Sequence, residues 1–135
     1  MSRIRTFLDS GVLITAARSK GPDQQLALSV LDDPNRRFLA SPFLALEVIP
    51  KAIFHRQALE LSFYERYLAS AAIYRGLNRI EAVARAEAGR YGLAALDALH
   101  VAAAFLLRGD ELITTEKPGK PMYRTSLIKV RSLYR

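Results

Sequence analysis

The chain has 135 residues, half of them hydrophobic, and a formal charge of +7, which is enough apolar material for one domain around one core and too little for two. It has no cysteine and only two, well-separated histidines, which excludes disulfides and thiolate metal sites and argues against zinc, so any bound metal would be oxygen-ligated. The basic excess calls for an anionic partner, and without a signal peptide or an uninterrupted apolar run of membrane-spanning length the protein is expected to be cytoplasmic and free of the membrane.

In chain order, Ile4 to Leu8 reads as a buried strand that stops at Asp9-Ser10-Gly11. Val12 to Ala17 and Asp23 to Leu31 read as helices separated by Lys20-Gly21-Pro22, and Asp32-Asp33-Pro34-Asn35 is a turn cluster. Phe38-Leu39-Ala40 is a second strand. Ser41-Pro42 then opens a helix, serine as N-cap and proline in the first turn, that carries Glu47 and is expected to kink or end at Pro50. Leu59 to Ala72 carries a single apolar stripe and is scaffold. A helix from Arg79 to Tyr91 closes at Gly92, and a very apolar one from Leu96 to Leu107 closes at Arg108-Gly109. Asp110 to Thr115 is a strand reaching Glu116, and Leu127 to Val130 is the last strand. Strands alternating with helices imply a three-layer α/β/α sandwich on a mainly parallel sheet, a single domain over residues 1–135.

Three acids stand out. Asp9, Glu47 and Asp97 are each the sole charge in long apolar windows, residues 6–17, 38–50 and 91–107. An unpaired carboxylate in a low-dielectric interior costs several kcal/mol, so acids kept in such surroundings imply a cation or dense hydrogen bonding. In an open α/β sheet, ligands bind beyond the carboxyl ends of the strands. Asp9 and Glu116 both follow strands, Asp97 lies in a helical first turn and Glu47 two turns into another helix, so all four can ring one end of the sheet. Crowded carboxylates repel unless a divalent ion neutralises them, and magnesium or manganese suits an all-oxygen site. The last stretch, 117–135, holds lysines and arginines and no acid, a segment suited to phosphates.

The segments Phe7-Leu8-Asp9-Ser10-Gly11-Val12-Leu13-Ile14, Leu46-Glu47-Val48, Leu96-Asp97-Ala98-Leu99-His100-Val101-Ala102-Ala103-Ala104 and Leu112-Ile113-Thr114-Thr115-Glu116 resemble the ordered motifs of PIN-domain ribonucleases. The resemblance runs from about residue 4 to about residue 132. It implies the α/β/α fold and a magnesium- or manganese-dependent endonucleolytic cut of RNA, and, in many members, a toxin countered by an antitoxin protein, as in the VapC type, acting as a homodimer. Carried over by position, Asp9, Glu47 and Asp97 match the metal-binding acids, and Glu116 stands where the family more often has Asp. Ser10 and Thr115 match hydroxyl positions beside the first and last acids. Lys117-Pro118-Gly119-Lys120-Pro121 departs from the acidic or polar residues usual there, and Lys117 and Lys120 are expected to meet RNA phosphates.

Other readings stay open at this level. Asp9 or Asp97 alone could merely cap a helix, Glu116 alone could be a surface acid, and His100, one helical turn from Asp97, could contact substrate or orient the carboxylate, though an ordinary core histidine is the commoner case. A phosphotransferase using Asp9 lacks the second Asp that haloacid-dehalogenase-like chemistry wants at the position of Gly11. A nuclease-silent PIN-like module that docks RNA or protein is the principal alternative.

Overall fold

The chain begins with a run whose burial deepens along it: Ile4–Leu8 forms β1, exposed at its start and fully buried from Thr6 to Leu8. The structure, a computed structural model, describes residues 2–134, so Arg135, the last cation of the basic tail, lies outside the described residues. After β1 come α1 (Ser10–Arg18), α2 (Pro22–Leu31), β2 (Arg36–Ala40), α3 (Pro42–Phe54), α4 (Ala58–Ser70), β3 (Ala72–Ile73), α5 (Leu77–Tyr91), α6 (Ala95–Leu106), β4 (Glu111–Thr114), a short 3-10 turn (Pro121–Arg124) and β5 (Lys129–Ser132). The sheet order is β3-β2-β1-β4-β5 with every neighbouring pair parallel. Right-handed crossovers place α1 to α4 on one face and α5 and α6 on the other, and α6 lies across β1, β2 and β4. This is the three-layer sandwich expected from the sequence.

Helix ends follow the chemistry of their residues. Ser41 caps α3 by accepting from Leu44 N at 3.3 Å, with Pro42 in the first position. Gly92 ends α5 in the left-handed region (φ 72), its N–H reaching Ala88 O at 2.8 Å. In α6 the run Val101–Ala104 is fully buried, and the small alanines let its axis settle close to the sheet. Central strands covered on both sides read as continuous apolar runs: Phe7, Leu8, Leu39 and Leu112 are all inaccessible to solvent.

Four expectations change. β2 starts two residues before Phe38 because Arg36 and Arg37 find partners elsewhere, Arg36 pairing with Glu111 and Asp33 and Arg37 donating to the Ser70 carbonyl. Two-residue β3 has no sequence signal of its own. β5 begins at Lys129, later than the apolar run suggested. Pro50 neither ends α3 nor marks its boundary: the helix continues to Phe54. The hydrogen bond lost there is the one to the carbonyl of Leu46, a residue 66% exposed, so water can take that acceptor.

Candidate active site

The strand order reverses direction between β1 and β4, so the crevice beyond their carboxyl ends is the place where an open parallel sheet collects ligands. Asp9 follows β1 directly and N-caps α1, with Val12 N donating to its Oδ1 at 3.4 Å. Its other oxygen accepts from Thr114 Oγ1, the last residue of β4, at 2.5 Å. The same Thr114 oxygen accepts from Glu116 N at 3.0 Å, so one buried hydroxyl sets both the first and the last acid. Asp9 is thus a helix cap and a pole acid at once. Burial pushes its carboxyl up from the ordinary 3.8, Thr114, the neighbouring His100 and the Val12 N–H pull it down, and nearby Asp97 adds to the rise, leaving it raised.

Gly11 closes the seam between the two strand exits. A Cβ there would sit 2.1 Å from Thr115 Oγ1 and 3.3 Å from Asp9 Oδ1, so only a residue without a side chain lets the start of α1 approach the segment leaving β4. The hydroxyl of Thr115 therefore faces α1. Ser10, the first residue of α1, directs its hydroxyl to Glu47.

Glu47 projects from α3 toward α6, where His100 Nε2 lies 2.5 Å from its Oε1. A carboxylate can only accept, so this nitrogen carries the proton. Burial of Glu47 acts upward, but the His100 hydrogen bond and charge, Ser10 and Lys51 outweigh it and hold the carboxyl below its ordinary value. The His100 ring is buried against Phe7, and among the described residues its Nδ1 has no partner.

Asp97 occupies the first turn of α6, whose N-cap is Ala94. The capping role is therefore not its own. It is half-buried, and among the described residues no donor reaches its carboxylate. Burial, together with the charges of Glu116 and Glu47, raises it against the pull of His100. Those couplings place Asp9, Glu47 and Glu116 around Asp97 at one pole. Glu116 is exposed on the loop after β4, with Tyr123 donating to its carbonyl at 2.8 Å. Lys117 and Lys120 are exposed on the same loop.

The structure thus gathers Asp9, Glu47, Asp97 and Glu116, but not as a ready-made chelate: among the described residues no three His, Asp or Glu side chains converge closely enough to enclose an ion. Glu47 is turned to His100 and Asp9 to Thr114. The donor type fits an oxygen-seeking divalent ion, and the donor-free carboxylate of Asp97 is the group such an ion would relieve. The sequence carried no signal for the role of Thr114, whose partner lies 105 residues away; His100 was legible as a residue that could orient a carboxylate, but the one it meets is Glu47, 53 residues away, and not Asp97.

No protein-family model matches the sequence, and no curated protein matches it. Solved structures do match in fold. VapBC2 from Rickettsia felis, bound to a DNA fragment from their promoter, superposes with a TM-score of 0.72 at 15% identity, covering 96% of this chain and 98% of that one. VapBC-1 from nontypeable Haemophilus influenzae gives 0.70 at 16%, covering 98% and 100%. A toxin–antitoxin complex from Klebsiella pneumoniae gives 0.69 at 21%, covering 91% and 94%. The fold is PIN-like. In this PIN-like sandwich the reversal between β1 and β4 carries the four acids, and no helix among the described residues is long and apolar enough to cross a membrane.

Proposed function

We propose that this protein is a magnesium- or manganese-dependent endoribonuclease and the toxin of a toxin–antitoxin pair. The observation that carries the reading is Asp97: a half-buried carboxylate without a hydrogen-bond donor, facing three further acids at the strand-exit crevice of a PIN-like fold. Asp9 and Asp97 would hold the ion, with Glu116 beside it in an outer position and Glu47 either joining them or holding the attacking water. The chemistry supplied on binding is Lewis-acid polarisation of a phosphoryl oxygen and activation of water.

The chain's own residues do the rest. Thr114 and the Val12 amide fix the Asp9 carboxylate, and Ser10 and His100 keep Glu47 ionised, an oxygen that can orient water without first losing a proton. Lys117 and Lys120 meet RNA phosphates, giving affinity that depends on salt more than on sequence. The structures it resembles include toxin–antitoxin complexes, which supports an antitoxin as protein partner, and a homodimer is the proposed state of the free chain, checked by light scattering.

The test is cleavage of a mixed RNA pool by the purified protein, with manganese or with chelator, beside Asp97→Asn. Metal-dependent cutting by the natural chain and none by the variant is expected; cutting that persists in chelator, or in the variant, rejects the assignment. The silent binding module draws support from the side chains that already engage Glu47 and Asp9. Calorimetry separates the readings, since a silent module takes up neither magnesium nor manganese.

A further inference from the structure

At the far end of α6 from Asp97, roughly 16 Å along the helix axis, an open cavity of about 610 Å³ is lined by Tyr74, Arg79, Phe105, Arg108, Gly109 and Leu127. Two of these are cations and none is an acid. The grooves along α5 include Glu81 or Glu87 and the one beside α3 includes Glu60; the one beside β5 also carries two cations and no acid, Lys129 and Arg131, but there Arg131 is paired with Glu111. Other arginines nearby are engaged, Arg5 with the Leu107 carbonyl and Arg37 with the Ser70 carbonyl. Arg79 and Arg108 have no such partner among the described residues. Both are exposed and free to turn toward a ligand in the cavity, and the guanidinium fork matches a phosphate.

The backbone adds a second observation. Arg108 sits at φ 58, just past α6, where Arg108 N meets Phe105 O at 2.9 Å and Gly109 N meets Ala104 O at 2.8 Å. Glycine adopts that left-handed conformation without strain and arginine does not. Arg56 ends α3 at φ 54 with the same pair of backbone hydrogen bonds, so this is the chain's recurring helix stop, and at residue 108 it leaves an arginine side chain lining the cavity. The aromatic walls give the third. Phe105 is 43% exposed at the carboxyl end of α6, directly after the buried run Val101–Ala104. The Tyr74 ring lies over Gly76, within 2.7 Å of where a Cβ would stand, and its hydroxyl has no partner among the described residues. Such rings offer stacking surface to a base.

We infer that this cavity is a nucleotide site, separate from the acidic pole: Arg79 and Arg108 take the phosphate, and Tyr74 and Phe105 take the base. It stands independently of the nuclease reading. The occupant is a nucleotide, whether free or part of an RNA chain.

The experiment follows backbone amide shifts of the full chain in chelator, so that no cleavage intervenes, during titration with AMP, adenosine and a 2′-O-methyl oligoribonucleotide. AMP is expected to shift residues 74–79 and 105–109 saturably, and adenosine to bind at least tenfold more weakly. Arg79→Gln and Arg108→Gly are each expected to weaken AMP at least tenfold. Arg108→Gly does so with an unchanged or higher Tm, which separates lost charge from lost fold. A lower saturating concentration for the oligonucleotide assigns the site to RNA, and a lower one for AMP assigns it to a free nucleotide. Unmoved signals at 74–79 and 105–109 with both ligands, equal binding of AMP and adenosine, or full affinity in Arg108→Gly would overturn the site.

Discussion

Asp9 and Glu111 are buried to nearly the same degree, 7% and 5% exposed, at opposite ends of the central strands, yet their carboxyl groups move in opposite directions. Glu111 opens β4 and accepts from Thr6 Oγ1 at 2.7 Å, Arg36 Nε at 3.0 Å and Arg131 Nη1 at 2.6 Å. Burial acts upward on it, and those three donors hold it below the ordinary carboxylate value. Asp9 is buried without a guanidinium partner and is raised, as is Asp97. Burial alone therefore does not decide an acid's state. The amino pole carries its own cations and ties β1, β2, β4 and β5 together; at the carboxyl pole neither Asp9 nor Asp97 has an arginine or lysine partner among the described residues.

The comparison breaks most sharply at Asp97. Asp97→Asn is expected to lower metal-dependent RNA cleavage at least about 100-fold, measured by single-turnover assay. Its Tm should be equal or higher, because the removed charge repels Glu116 and Glu47 and accepts no hydrogen bond. Glu111→Ala is the mirror experiment. It leaves Arg36 with Asp33 alone and strips Thr6 and Arg131 of their acceptor, which should cost about 3 kcal/mol in urea unfolding, with cleavage per folded molecule unchanged. His100→Leu removes the donor that holds Glu47. The Glu47 carboxyl should rise, and manganese affinity by calorimetry should fall about tenfold, with His100→Gln restoring part of it.

The smallest effect is in pH. Groups raised in the folded state, Asp9 and Asp97, make the native protein bind more protons than the unfolded chain just above 3.8, so stability falls as pH climbs through their folded values. Glu111 and Glu47 are lowered. Their contribution is complete above 4.5 and is lost as pH falls through their folded values. Mild acidification from neutrality should raise Tm and further acidification lower it; Asp97→Asn should flatten the rise and Glu111→Ala the fall.

Asp9, Glu47 and Asp97 were legible because a lone charge in apolar sequence is a local anomaly, and Glu116 only because it follows a strand. The glutamate of the amino pole was not. Glu111 follows Asp110 and precedes Leu112, and reads as an ordinary strand margin until Arg36 and Arg131 arrive from 75 and 20 residues away. Arg36 and Arg37 also hid the start of β2, since charged residues look like loop until their partners are known. Thr114 and Thr115 are indistinguishable as neighbours in sequence. The period-two geometry of a strand turns one hydroxyl to Asp9 and the next against Gly11. Helix termini fared better, because Ser41, Pro42 and Gly92 act on their own turns.

The missing side chain at residue 11 bears on how this pole can evolve. Because the start of α1 and the exit of β4 are braced by direct atomic contact, the spacing between them does not depend on any ion or on the mutual repulsion of the acids. Side chains such as Glu116 and Lys117 can then be exchanged one at a time while the scaffold beneath them keeps its dimensions.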